Sequence, residues 1–140
     1  MNTPTPLDAP HVVVLKSNRF HADFIGLNIQ NRWPKARVSV FYSGNEALKC
    51  IWQTRPDLFV TGIKIDDLEG LEHLEPFTDS ELPILIVTAC ADATTVRRLR
   101  RVRFDGLFDS LEEGLERLLE AIEKSLRRQR YVSPRVARWL

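Results

Sequence analysis

Apolar residues in this chain fall into two textures. Short unbroken runs stand at HVVVL (11–15), LFV (58–60), PILIVT (83–88) and GLF (106–108), and VSVFY (38–42) alternates. Such runs, closed by polar or turn-forming residues, predict strands buried in a sheet covered on both faces. Between them the apolar period lengthens to that of a helix. Phe20, Phe24, Leu27 and Asn31 stand at helical spacing, with Ile25 and Ile29 widening the stripe, and Pro34 closes it. Ser43 and Glu46 have capping-box spacing ahead of a helix carrying Ala47, Leu48, Ile51 and Trp52, which Pro56 stops. Residues 71–75 allow a short helix at most, because Pro76 interrupts it. Asp92 is placed to cap a helix with Ala93, Val96, Leu99 and Val102 on one stripe. Ser110 and Glu113 form a second capping box, and Leu115, Leu118, Leu119, Ile122 and Leu126 line the longest helix. Ser133-Pro134 has the form of an N-cap and first helical residue.

Strand and helix thus alternate five times through short connections, which specifies a parallel α/β sheet wound on both faces. The expected fold is flavodoxin-like, five parallel strands in the order 2-1-3-4-5, with its crevice beyond the carboxyl ends of strands 1 and 3. The third strand runs into Gly62–Asp67, so chemistry is sought there. A length of 140 residues suits a single domain. Residues 1–10, rich in proline and polar groups, are expected as a flexible lead-in, 11–130 as the domain, and 131–140 as the start of a linker or an additional helix.

A net charge of +1 gives no global case for nucleic acid or membrane. The apolar runs are too short to span a bilayer. Cys50 and Cys90 lack metal-ligand spacing and no signal peptide is evident, so a reduced cytoplasmic setting is expected.

Four segments carry a family resemblance. PDLFVTGIKIDDLEGLEHL (56–74) resembles the third strand and following loop of a CheY-like response-regulator receiver domain, and ELPILIVTA (81–89) its fourth strand with the switch hydroxyl. FDGLF (104–108) resembles the fifth strand. LLEAIEKSLRRQRYVSPRVARWL (118–140) is similar to the last helix and linker of LuxR/NarL-type DNA-binding regulators. The resemblance implies phosphoryl transfer to an aspartate aided by magnesium. That chemistry needs a carboxylate nucleophile, an acidic pair for the metal, and a hydroxyl and a lysine for the phosphoryl oxygens.

Aligned on those segments, the acceptor position falls on Gly62 and the acidic pair on Lys16 and Ser17. The lysine position falls on Ser110, next to Asp109, and the aromatic switch on Leu107; only the hydroxyl, Thr88, matches. Asp57 lies at the wrong end of the strand to substitute. The expectation is a pseudo-receiver: fold retained, no catalytic residues, no metal, no cofactor, and a protein-interaction role in bacterial two-component signalling or transcriptional regulation. The alternative is a sensor binding a small ligand or anion around Lys16, Thr88 and Ser110; pairing of Lys16 with Asp109 or Asp66, plugging the space, is favoured over it.

Other suggestive residues have plainer readings. Asp66 and Asp67 read as a solvated acidic loop, Cys90 as an inert loop thiol, and His11, His21 and His73 as scattered surface or edge histidines. In receivers the fourth helix, fifth strand and fifth helix form the usual partner surface. Here Arg97, Arg98, Arg100 and Arg101 make the fourth helix basic, while Glu112, Glu113, Glu116, Glu120 and Glu123 make the start of the last helix acidic. Under two-fold symmetry these faces are complementary, which suggests a homodimer or a protein partner. DNA is expected only through a helix-turn-helix domain beyond Leu140, since a short arginine helix gives no base readout.

Overall fold

The computed structural model describes residues 8–89 and 91–140. Its sheet is wholly parallel, with strands β1 (His11–Leu15), β2 (Arg37–Phe41), β3 (Leu58–Thr61), β4 (Ile84–Thr88), β5 (Gly106–Asp109) and β6 (Tyr131–Val132). Alternate side chains of each strand enter opposite layers. Val12 and Val14 of β1 pack with Ile25 and Ile29 of α1 (Arg19–Arg32) and Leu118 and Ile122 of α4 (Leu115–Leu126). Val13 and Leu15 face the other layer, with Ala47 and Ile51 of α2 (Gly44–Thr54), Val96 of α3 (Ala93–Arg98) and Val136 of α5 (Pro134–Ala137). The strands β1, β3 and β4 are closed on both sides, which is why their sequences are unbroken apolar runs.

The strand order is β2-β1-β3-β4-β5-β6, so the expected order is present but the expected count of five is not. The sixth strand has only two residues, Tyr131 and Val132, paired with Gly106 and Leu107. Two residues are too few for any period to reveal, and Pro134 prevents extension. Residues 131–140 form this strand and the short α5, and Val136 is fully buried in the core.

Two local expectations are corrected. On α1 the buried stripe is Ala22, Ile25, Gly26 and Ile29, whereas Phe20, Phe24 and Leu27 are 77%, 44% and 62% exposed. Two apolar stripes share this helix, and β2 decides between them: a methyl of Val40 lies only 2.5 Å from where a Cβ on Gly26 would stand, so only the glycine side allows this approach. The Ser110–Glu113 capping box does not form. α4 begins at Leu115 behind Gly114, and Glu113 is bound elsewhere. Residues 71–74 are turns that pass into a 3-10 turn, Glu75–Phe77, around Pro76. The other caps are present: Ser43 accepts from the Glu46 amide at 3.4 Å and Asp92 from the Thr95 amide at 2.7 Å.

Candidate functional site

The carboxyl ends of β1, β3, β4 and β5 bring the site positions together. Gly62 follows β3 directly; its amide donates to the Leu15 carbonyl at 3.0 Å, which continues the β1–β3 ladder by one residue. Lys16 follows β1 and its amide continues the other ladder, to the Phe41 carbonyl at 3.2 Å. Both backbones are therefore fixed, and the Lys16 side chain turns across Gly62. Its Cδ, Nζ and Cε lie 3.2, 3.3 and 3.5 Å from the point a Cβ on Gly62 would occupy. The ammonium donates to the Val87 carbonyl at 2.9 Å. Lys16 thus stands in the space an acceptor side chain would need.

The neighbouring positions are engaged in the same inward manner. Ser17 Oγ accepts from the Asp66 amide at 2.8 Å. Thr88 is buried, and its carbonyl accepts from the Ser110 amide at 2.9 Å and hydroxyl at 3.2 Å. Leu107 is fully buried, paired across the sheet with Ile86 and Val132. An ammonium and a hydroxyl at Lys16 and Ser17 do not fit a magnesium ion, which takes hard anionic oxygen ligands. Among the described residues no group of three or more His, Cys, Asp or Glu could hold a metal.

Asp67 is not a merely solvated loop acid. Its carboxylate accepts from the amides of Gly44 (2.7 Å) and Asn45 (3.0 Å), from Asn45 Nδ2 (3.0 Å) and from Ser43 Oγ (2.9 Å). It therefore caps the first turn of α2, where free amides and the helix dipole favour an anion. The Asn45 and Gly44 amides and the Ser43 hydroxyl hold its pKa down at about 2. Asp66 remains exposed, and Asp57 sits at the far end of β3, accepting from the His11 amide at 2.8 Å.

His73 differs from expectation: it is fully buried. Its Nε2 lies 2.9 Å from the Gly62 carbonyl. A carbonyl only accepts, so Nε2 carries the proton. Burial pushes the pKa below the ordinary value against the opposing effect of that bond, and Nδ1 is buried without a partner among the described residues. His11 bonds Ser39 Oγ at 3.2 Å, His21 is exposed, and Cys50 lies near Thr54. Cys90 lies outside the described residues.

The fifth-strand corner holds a network that the reading of the sequence missed. Asp109, fully buried, receives Arg135 Nε at 2.6 Å and the Leu111 amide at 3.1 Å, and its own amide donates to Ser133 Oγ at 2.9 Å. Arg135 also donates to the Ala91 carbonyl at 3.2 Å, and its amide to Glu112 at 3.0 Å. Bonding to Asp109 raises the Arg135 pKa above its ordinary value. Glu113 accepts from Tyr131 and Ser133 hydroxyls; burial and the Glu113 bond raise the Tyr131 pKa, so the phenol stays a donor. Arg100 donates to the Trp139 carbonyl at 3.1 Å. Residues 131–140 therefore lie across the side expected to face a partner. The one available sequence signal is Asp109 itself, an acid ending an apolar strand, which demands a nearby cation.

Of the expected partner residues, Glu112 and Glu113 are bound by this tail, and Glu120 pairs with Arg117 at 2.8 Å. Arg97, Arg98, Arg101 and Glu116 remain exposed. A cavity of about 480 Å³ lies at the opposite end of the sheet, lined by Ser80, Glu81, Pro83, Arg103, Asp105 and Arg128, away from these positions. No helix among the described residues is long and apolar enough to cross a membrane.

No protein-family model matches the chain. It is 28% identical over 99 residues to the response regulator GacA of Pseudomonas aeruginosa, covering 69% of this chain and 46% of that protein. The chain spans about half the length of the curated relatives it matches. Among solved structures, a LuxR-family two-component response regulator from Aurantimonas superposes with a TM-score of 0.78 at 19% identity, covering 93% of this chain and 94% of that one. The receiver domain of RcsB from Salmonella enterica serovar Typhimurium gives 0.77 at 10% identity, covering 94% and 99%. The strand order, the placement of Lys16, Gly62 and Thr88 at one end of the sheet, and the superpositions agree: this chain has the fold of CheY-like receiver domains and is similar in sequence to the response regulator GacA.

Proposed function

We propose that this receiver works by binding other macromolecules and not by accepting a phosphoryl group, as a non-enzymatic module of two-component-type signalling or transcriptional regulation. The observation that carries the reading is Lys16, whose side chain lies 3.2–3.5 Å from the Cβ point of Gly62. An acceptor carboxylate has no room there unless the lysine moves, and a divalent cation would sit beside an ammonium that repels it. Ser17 and Ser110 supply no carboxylate and no cation, so nucleophile, metal ligands and phosphoryl clamp are missing together. The alternative of a ligand sensor is less well supported, because Lys16 occupies the space such a ligand would use.

The β5 and α4 part of the expected face remains the proposed contact for a protein partner, with one change from simple charge pairing. A partner that used Glu112 and Glu113 has to displace Arg135, Tyr131 and Ser133, so its binding competes with docking of residues 131–140. Competition of this kind converts a binding event into release of a segment without phosphoryl chemistry. A homodimer joined by the arginine and glutamate faces is left with fewer free acids. The exposed Phe20, Phe24 and Leu27 of α1 add apolar surface of the kind protein contacts use.

The test is treatment with acetyl phosphate and magnesium, followed by intact-mass spectrometry, with beryllofluoride as a second probe of the pocket by thermal shift. No phosphoryl adduct and no shift are expected. An adduct mapped to Asp66 or Asp67 overturns the reading.

A further inference from the structure

The ordering of residues 131–140 changes what the basic helix can do. Val96 and Leu99 are buried, so Arg97, Arg98 and Arg101 point outward from α3 and the 3-10 turn Leu99–Arg101 that continues it. Arg100, also exposed, ties that element to the Trp139 carbonyl, which places α5 and its following residues alongside. Arg138 there is exposed, its guanidinium 4.7 Å from the centre of a Trp139 ring. At the other end of the turn, the Arg130 guanidinium stands 5.5 Å from the Phe104 ring centre. These six arginines form a ridge, and among the described residues none of them makes an ion pair with an acid. The acids that could have neutralised it, Glu112 and Glu113, are turned to Arg135, Tyr131 and Ser133 instead.

We propose that this ridge binds the phosphate backbone of duplex nucleic acid without reading its sequence. The charge pattern fits. Four residues at about 1.5–2.0 Å each, across α3 and the 3-10 turn, space Arg97 and Arg101 by roughly 6–8 Å along a duplex that carries a negative charge about every 1.7 Å of its axis. Guanidinium groups bind phosphate through two parallel hydrogen bonds. The composition also separates this ligand from an acidic protein. A protein interface needs an apolar centre. None of the six large apolar side chains that stand most exposed, Phe20, Phe24, Leu27, Trp52, Leu111 and Leu115, lies on the ridge. Interfaces with nucleic acid are more polar and more basic. The contact requires neither a helix-turn-helix domain nor the phosphorylation corner.

Fluorescence anisotropy of the 140-residue chain with two labelled duplexes of unrelated sequence tests this. Equal binding to both is expected, weakening between roughly 50 and 200 mM salt with a log–log slope of about −4 to −5, as four to six phosphate contacts require. The Arg97→Gln/Arg98→Gln/Arg101→Gln variant should melt as the parent does and lose about three units of that slope. Arg138→Gln, at another point of the ridge, should lose about one. Absence of binding at the lowest salt, an undiminished slope in these variants, or tighter binding of polyglutamate than of duplex overturns the proposal. The proposal goes beyond the reading of the phosphorylation corner, and the mass-spectrometric outcome there leaves it unaffected.

Discussion

The β3 corner and the β5 corner occupy the same end of one sheet, and internal bonds fill both. They do so over different chain distances. At β3 the replacement is supplied by the loops of adjoining strands: Lys16 over Gly62, Ser17 to Asp66, and Asp67 on the start of α2. At β5 the partner comes from beyond the last long helix, where Arg135 and Ser133 reach back to Asp109. The first corner is held by residues that directly follow β1 and β3 or cap α2. The second is closed by residues 131–140, whose undocking would bare β5 and the buried Val136. Neighbouring positions are thus closed from near and from distant sequence.

The comparison breaks most readily at Arg135. Arg135→Ala leaves the Asp109 carboxylate, 0% exposed, without its cation. Loss of one partner of a buried pair costs about 3–5 kcal/mol, and the 37% exposure of Arg135 argues for about 3 here, since water can enter. Urea denaturation measures it, and Asp109→Asn in the same background should recover part of the loss. A cost below about 1 kcal/mol would mean that the tail is not latched by this pair.

At the β3 corner a smaller effect is expected from Asp67→Asn, about 1 kcal/mol at neutral pH, as for loss of a helix cap. The pH dependence has a definite sign. The folded pKa, about 2, lies below the ordinary carboxylate value, so the carboxylate contributes stability above the unfolded value and loses it as pH falls through the folded one. Denaturation of parent and variant across that acid window should therefore converge. Parallel loss in both would remove Asp67 from the account.

Smallest is the effect of Gly62→Asp. Gly62 is not among the residues with positive φ, so the backbone accepts a side chain, and the nearest obstacle is the flexible end of Lys16. A change within about 1 kcal/mol of the parent is expected, with no phosphorylation by acetyl phosphate, because Ser17 and Ser110 remain as they are. Efficient phosphorylation of this single variant would show that the corner is disabled at one position only.

The reading of the sequence succeeded where a signal was local and repeated. Five strands were legible because four are apolar runs and the second alternates, and the Asp92 and Ser43 caps because they act within one turn. It failed where two local signals competed for one tertiary outcome. α1 carries two apolar stripes, and only the approach of Gly26 to β2 selects between them. Ser110 and Glu113 have capping-box spacing, yet Glu113 finds better partners in Tyr131 and Ser133, some twenty residues on. For the site, the residue types at Gly62, Lys16 and Ser17 were legible as departures from the acceptor and acidic pair that the resemblance implies. What replaced them was not, since no spacing announces that Lys16 turns to Val87, that His73 is buried, or that Arg135 answers Asp109.

The two-residue strand β6 bears on how the chain keeps to itself. Without it the sheet would end on β5, a buried strand presenting open amides and carbonyls, the kind of border onto which a foreign strand adds. Tyr131 and Val132 pair with Gly106 and Leu107, the Ser133 amide takes the Leu107 carbonyl, and the Ser133 hydroxyl takes the Asp109 amide. Pro134 follows at once and has no amide hydrogen to extend the ladder. The same few residues that bind Asp109 therefore also cover that border, so any event that freed them would expose it.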